Sequence, residues 1–319
     1  SLTMTHFLVK KAGVLALLQD QGRYGYHGAG MTCGGPMDSL AFRWANALCG
    51  NTDNAVAIEL SAGGLALIAK VNTLIAVCGV SLPFTINGNA CELWRSYVVN
   101  EGDIINIGFA AKGCRSYLAV SGGFQIKAQF GSVATVPREA IGGLNGGALQ
   151  LGDVLPCMPM KASQCLLLPP QYRPYYSCDI TVRAVATYQY AQFSEAQKQC
   201  FFNTPYTVSQ QCDRMAYRLE GDQTIALSGA QAMLSEGICL GAIQIPPSGQ
   251  PIVMMNDRQT IGGYPKIGSV LSTDLAKLGQ LVAGDTVRFQ LIDRASARAQ
   301  LLLTQTHFEQ ALGQLQTVI

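Results

Sequence analysis

The chain has 319 residues and a mass of 34.0 kDa, with 49% hydrophobic and 13% charged side chains and a formal net charge of +2 at pH 7. That apolar share excludes a disordered chain, and the length allows two domains, each with a core of its own. A pI of about 8.0 with evenly scattered charge gives no basic face for nucleic acid, and a charged share about half the usual ~25% points to apolar surface that a partner covers.

Along the chain, the apolar stretch at residues 14–18 follows Lys10 and Lys11 and is too short for a signal-peptide core, so a cytoplasmic protein is expected. Residues 19–38, QDQGRYGYHGAGMTCGGPMD, hold six glycines and the charges Asp20, Arg23 and Asp38. Two readings of this stretch stay open. It is a loop that wraps a ligand or partner through Asp20 and Arg23, or a structural loop in which Asp20 accepts backbone N–H groups. Asp38 predicts an N-cap for a helix over 39–49, with Leu40, Ala41, Trp44, Ala45 and Leu48 on one face and Gly50 after its end. Residues 67–84 are the most apolar region, but Lys70, Asn72 and Ser81 interrupt them, so they read as strands and not as a membrane span.

Gly-Asp turns then lead into alternating apolar runs at residues 101–109, 151–157 and 283–292. Further strands are predicted at 180–188, 206–211, 224–229, 241–245 and 251–255. Helices are few. Ser194 with Gln197 forms a capping box, residues 272–281 form a short helix, and residues 294–316 form the longest one. Its stripe of Leu301, Phe308, Leu312 and Leu315 is expected to cover a barrel. The chain is therefore mainly β. Proline-rich residues 156–174 mark the boundary between an N-terminal β-rich domain with one capped helix, 1–160, and a second domain, 161–319.

The eleven cysteines include no Cys-x-x-Cys, and none stands at zinc-like spacing from His6, His27 or His307. They read as reduced, mostly buried thiols, with glycine-flanked Cys33 the first candidate for a reactive one, and no protein-bound metal is expected. The sequence holds no phosphate loop, dinucleotide fingerprint or nucleophile elbow. Chemistry then rests on carboxylates, Arg, Lys, Tyr and amides. Asp213 and Arg214, in CDRMAYRLEG, sit in a turn before a strand, where Arg214 either holds a ligand carboxylate or phosphate in a bidentate fork or staples the turn. In IPPSGQPIVMMNDRQTIGGYPKIG, the apolar run 251–255 ends in Asn256, Asp257, Arg258, Gln259 and Thr260. Gly262 and Gly263 are expected to fold the chain back, so that Tyr264 and Lys266 converge on the same side, as in a small-molecule site.

These stretches, with LLQDQGRYGYHGAGMTCGGPMDSLAFRWANALCGN and RSYLAVSGGF, resemble the biotin-dependent carboxyltransferase family over residues 14–289. The resemblance implies a cyclophilin-like β-barrel in the C-terminal half beside a smaller β-rich (α+β) N-terminal part. It implies partner dependence, with a homologous B-type subunit, a larger A-type hydrolase subunit, and an ATP-driven opening of 5-oxoproline to glutamate. Asp257 would orient or activate the nucleophile, Arg258 and Lys266 would neutralise developing charge, and Gln259, Tyr264, Asp213, Arg214, Asp20 and Arg23 would bind substrate. Two alternatives stay open: carboxyl transfer between biotin and a urea-like amide, and a non-catalytic module that antagonises a homologous kinase-inhibitor partner. Cys212 and Ala216 depart from the serine and glycine of the family pattern.

Overall fold

The computed structural model describes residues 4–161, 164–227 and 235–319. The chain divides into two compact units, one of Ser1–Tyr24, Cys33–Tyr176 and Phe308–Ile319, the other of Gly25–Thr32 and Ser177–His307. The main crossing therefore falls at Tyr176/Ser177, where the sequence suggests 160/161. The physical reason lies in one pairing: the strand just after the expected boundary is held by the C-terminal strand Gln316–Val318, so both stay with the first unit.

The first unit contains β1 (His6–Ala12), β2 (Leu15–Gln19), α1 (Ser39–Leu48), β3 (Ala57–Ser61), β4 (Gly63–Lys70), β5 (Thr73–Gly79), β6 (Phe84–Ile86), β7 (Asn89–Ala90), β8 (Ser96–Val99), β9 (Ile104–Phe109), β10 (Arg115–Val120), β11 (Val154–Pro156) and β12 (Cys165–Leu167). They form a six-stranded sheet ordered β11-β1-β4-β9-β6-β7 and a five-stranded sheet ordered β2-β3-β10-β5-β8. Alternate residues explain the packing. Ile75 and Val77 of β5 join Leu67, Ile105 and Leu118 in one core, while Ala76 and Cys78 of the same strand join Ala41, Trp44, Ala45 and Leu48 of α1 in another. A strand covered on both faces reads as a continuous apolar run, which is why residues 73–79 alternate so little. Asp38 caps α1 as predicted, accepting from the Ala41 N–H at 3.0 Å.

The second unit contains β13 (Asp179–Ala186), α2 (Glu195–Asn203), β14 (Tyr206–Cys212), β15 (Ala216–Glu220), β16 (Glu236–Gly237), β17 (Ala242–Gln244), β18 (Ile252–Met254), β19 (Ile261–Gly262), β20 (Lys266–Val270), α3 (Ser272–Leu278), β21 (Thr286–Ile292) and α4 (Arg294–Leu312) as far as His307, the rest of that helix belonging to the first unit. Seven strands close a barrel in the order β13-β20-β17-β18-β15-β14-β21, with β13 and β21 parallel and the other neighbours antiparallel. The chain is thus mainly β with a closed barrel in its C-terminal half. The capping box of Ser194 and Gln197 starts α2, whose Phe201 stacks on Phe289 of β21 at 4.6 Å.

Three expectations change. Residues 224–227 form no strand, and residues 228–229 of that predicted run lie outside the described residues. The stripe of the C-terminal helix does not act as one apolar face: Leu301 and Leu312 are 39% and 38% exposed, whereas Phe308 packs on Trp44 in the first unit at 4.3 Å. Gly262, expected to help fold the chain back, lies instead in β19, which pairs with β16 as a separate two-stranded ribbon.

Candidate functional site

The barrel brings the turn after β14 against the loop after β18, because the Asp257 N–H donates to the Arg214 carbonyl at 2.8 Å. Their side chains then meet. Arg214 Nε lies 3.0 Å from Asp257 Oδ2 and Nη2 lies 2.9 Å from Oδ1, with both residues buried. Arg214 does hold a carboxylate in a bidentate fork, but the carboxylate is internal. The expectation of an open fork for a ligand gives way to a buried ion pair that joins two loops, and Asp257 has both oxygens committed to it. Asp213 is exposed and accepts from the Met215 and Ala216 N–H groups at 2.8 and 3.1 Å, closing the turn. Next to the pair, Arg258 donates through Nε to the Ile238 carbonyl at 2.8 Å, and Thr32 Oγ1 donates to the Asn256 carbonyl at 3.1 Å.

Lys266, at the start of β20, is buried and pairs through Nζ with Glu236 Oε1 at 2.7 Å. The Tyr188 hydroxyl donates to the other oxygen of Glu236. The Lys266 hydrogen bond, then the Tyr188 one, holds the Glu236 carboxyl below its ordinary value of 4.5. The Lys266 N–H donates to Gln189 Oε1 at 2.8 Å. Gln244 of β17 stands across from Lys266 in the barrel register. It is 4% exposed, and its Nε2 has no hydrogen-bond partner among the described residues. Gln259 and Tyr264 are exposed. Lys266, Glu236, Tyr188 and Gln244 thus place a cation, an anion, a phenol and an amide at one end of the barrel.

Asp20 and Arg23 belong to the first unit and are not part of that cluster. Asp20 accepts from the Gly22 N–H at 3.0 Å, the Val133 N–H at 2.8 Å and the Ser132 hydroxyl. Arg23 donates to the carbonyls of Gln129, Ser132 and Ala134 at 2.9, 2.9 and 3.1 Å. Both staple the segment 129–134, the structural alternative that the sequence leaves open. Cys33 is buried, and each of the eleven cysteines is a free thiol. Among the described residues no group of three or more His, Cys, Asp or Glu side chains is placed to hold a metal ion, and no helix is long and apolar enough to cross a membrane.

Sequence reasoning passes over Glu236, Tyr188 and Gln244. Gln244 carries a legible signal, a polar residue inside the apolar run GAIQI. Glu236 and Tyr188 carry none, since Glu236 lies thirty residues before Lys266 and Tyr188 a further 48 before Glu236, and the fold alone brings Lys266 and Tyr188 to the two oxygens of Glu236.

A family model for the carboxyltransferase domain, subdomain A and B, matches residues 29–291. The chain is 35% identical to the 5-oxoprolinase C subunit of Haemophilus influenzae over 284 residues, covering 88% of this chain and 90% of that protein. It is 33% identical to the 5-oxoprolinase C subunit of Escherichia coli over 305 residues, covering 96% and 97%. The crystal structure of the K. lactis urea amidolyase superposes with a TM-score of 0.88 at 28% identity, covering 98% of this chain and 20% of that one.

Proposed function

The chain belongs to the carboxyltransferase-domain family of subdomains A and B, and from that premise we propose that it is the C-type subunit of a 5-oxoprolinase, working with partner subunits to open 5-oxoproline to glutamate with hydrolysis of ATP. One observation carries this reading. The relatives named as 5-oxoprolinase C subunits match nearly end to end, whereas the urea amidolyase match takes in a fifth of a much larger protein. Lys266 meets negative charge on the substrate, and Tyr264 and Gln259 stand at the edge where a substrate or partner enters. Arg258 is proposed to add positive charge as the carbonyl develops an oxyanion. Asp257 acts by fixing Arg214 and the loop, through the two hydrogen bonds its oxygens accept. ATP binding falls to the assembled complex, since the chain has no phosphate loop.

The test is reconstitution with a homologous B-type subunit and a larger A-type hydrolase subunit. Glutamate released from 5-oxoproline with ATP should require all three, and Lys266→Met should lower the rate roughly 100-fold, the scale for losing one charge-stabilising group. Undiminished turnover without this chain would reject the proposal. Carboxyl transfer from biotin to a urea-like amide is the second reading, favoured by the superposition on urea amidolyase. Biotin-dependent urea carboxylation by the same assembly, with no glutamate formed, would select it.

A further inference from the structure

The ribbon of β16 and β19 covers two polar groups of the barrel at once. Its Glu236 occupies Lys266 Nζ at 2.7 Å. Its Gly262 backs onto Gln244: a Cβ at that position would lie 3.0 Å from Gln244 Nε2 and 2.5 Å from Ile238 Cδ1. Gly262 has no positive φ to justify the glycine, so space alone requires it there. Beneath it, Nε2 of a side chain only 4% exposed has no hydrogen-bond partner among the described residues. A buried donor left unmade is a standing cost to folding that an apolar residue of the same size would remove.

We infer that the β16–β19 ribbon is a lid over a ligand subsite, in which Gln244 Nε2 donates to an amide carbonyl and Lys266 Nζ binds a carboxylate that displaces Glu236. With the lid closed, Gln244 has no acceptor within reach, and Glu236, with Tyr188, holds the carboxylate position until the ligand arrives. Gln244 and Lys266 are opposed on β17 and β20, which brings both donors within reach of a single small ligand. Lifting the ribbon frees both groups together, because Glu236 pairs with Gly262 across it. A carboxylate with an adjacent amide carbonyl is the chemistry these two donors fit. Naming 5-oxoproline as that ligand rests on the function proposed above; the subsite itself does not.

The experiment compares the assembled complex with parent, Gln244→Met and Glu236→Gln chains. Binding of 5-oxoproline, of N-acetylglycine (a carboxylate with an open amide) and of acetate is measured by calorimetry without ATP. Gln244→Met keeps the volume and removes the donor. It should melt at or above the parent temperature and bind 5-oxoproline at least tenfold more weakly, a loss of about 1.4 kcal/mol. Glu236→Gln weakens the internal competitor, so its affinity for 5-oxoproline should rise, with faster hydrogen exchange in the ribbon. Acetate should bind far more weakly than either amide and lose little in Gln244→Met. Unchanged 5-oxoproline affinity in Gln244→Met, or a lower affinity in Glu236→Gln, overturns the inference. So does a parent complex that binds neither amide. A parent that binds N-acetylglycine through Gln244 but not 5-oxoproline leaves the subsite standing and removes the 5-oxoprolinase reading.

Discussion

Arg214 and Asp257 show how burial changes the meaning of a charged residue. From the sequence, Asp257 is a site group whose loss would be felt mainly in activity, and Arg214 either holds a ligand or staples its turn. Placed 2.9–3.0 Å apart and shielded from water, they hold two loops together instead. Removing one partner leaves an uncompensated buried charge, so Asp257→Asn and Arg214→Ala should each destabilise the fold by about 3–5 kcal/mol in denaturant unfolding. The double change Arg214→Met with Asp257→Leu should recover most of that loss. Glu236 carries a different prediction, set by its direction of titration. Lys266 and Tyr188 hold its folded pKa below 4.5, so the stabilisation is fully present above that value and is lost as pH falls through the lower, folded one. Lys266 and Tyr188 are the groups bonded to it, and the His27 ring stands beside Gly237 of the same ribbon. Hydrogen exchange in residues 236–237 and 261–262, corrected for the intrinsic pH dependence, should become less protected as pH falls below 4.5 through the lower folded value, and Glu236→Gln should abolish that change.

Helix α2 is a short element whose start depends on local chemistry. The Ser194 side chain accepts from the Gln197 N–H at 3.1 Å while Gln197 Oε1 accepts from the Ser194 N–H at 2.8 Å. Ser194→Ala should cost about 1 kcal/mol and Ser194→Asp much less, read as a shift in denaturation midpoint with unchanged slope. Such signals act over three residues and are legible in any sequence. The ribbon of β16 and β19 is the opposite case. Each strand is two residues long, pairs across twenty-odd positions and has no alternation to betray it. The segment 256–266 therefore reads as one self-contained turn, whereas the glycine at 262 answers to Ile238 and Gln244, which are separated from it in the chain.

At the scale of the molecule, low charge and missing nucleotide motifs point the same way. The isolated chain should release no glutamate from 5-oxoproline with ATP, and turnover by it alone at rates of roughly 1–10³ per second would reject dependence on partner subunits. The thiols should stay independent as well. Burial pushes Cys157 up to about 12 and Cys49 well above its ordinary range, which suppresses the thiolates that disulfide exchange requires. Mass spectrometry of the native chain under mild oxidation should find no uniform disulfide, and melting should match that in reducing buffer.

What the sequence determined by itself is what periodicity and short-range chemistry record: a mainly β chain, the caps of α1 and α2, the Gly-Asp turns that lead into β9, β11 and β21, and the family to which these stretches belong. It also marked the loop after β18, because five polar residues end an apolar run there. Only the tertiary structure decided which of those groups face one another. Arg214 finds Asp257, Lys266 and Tyr188 both find Glu236, and Asp20 and Arg23 turn to the 129–134 segment, because strand order in a closed barrel or a sheet joins positions that no local pattern connects. A charge has the same letter in the sequence whether it is paired or poised, and the difference lies in distance and burial.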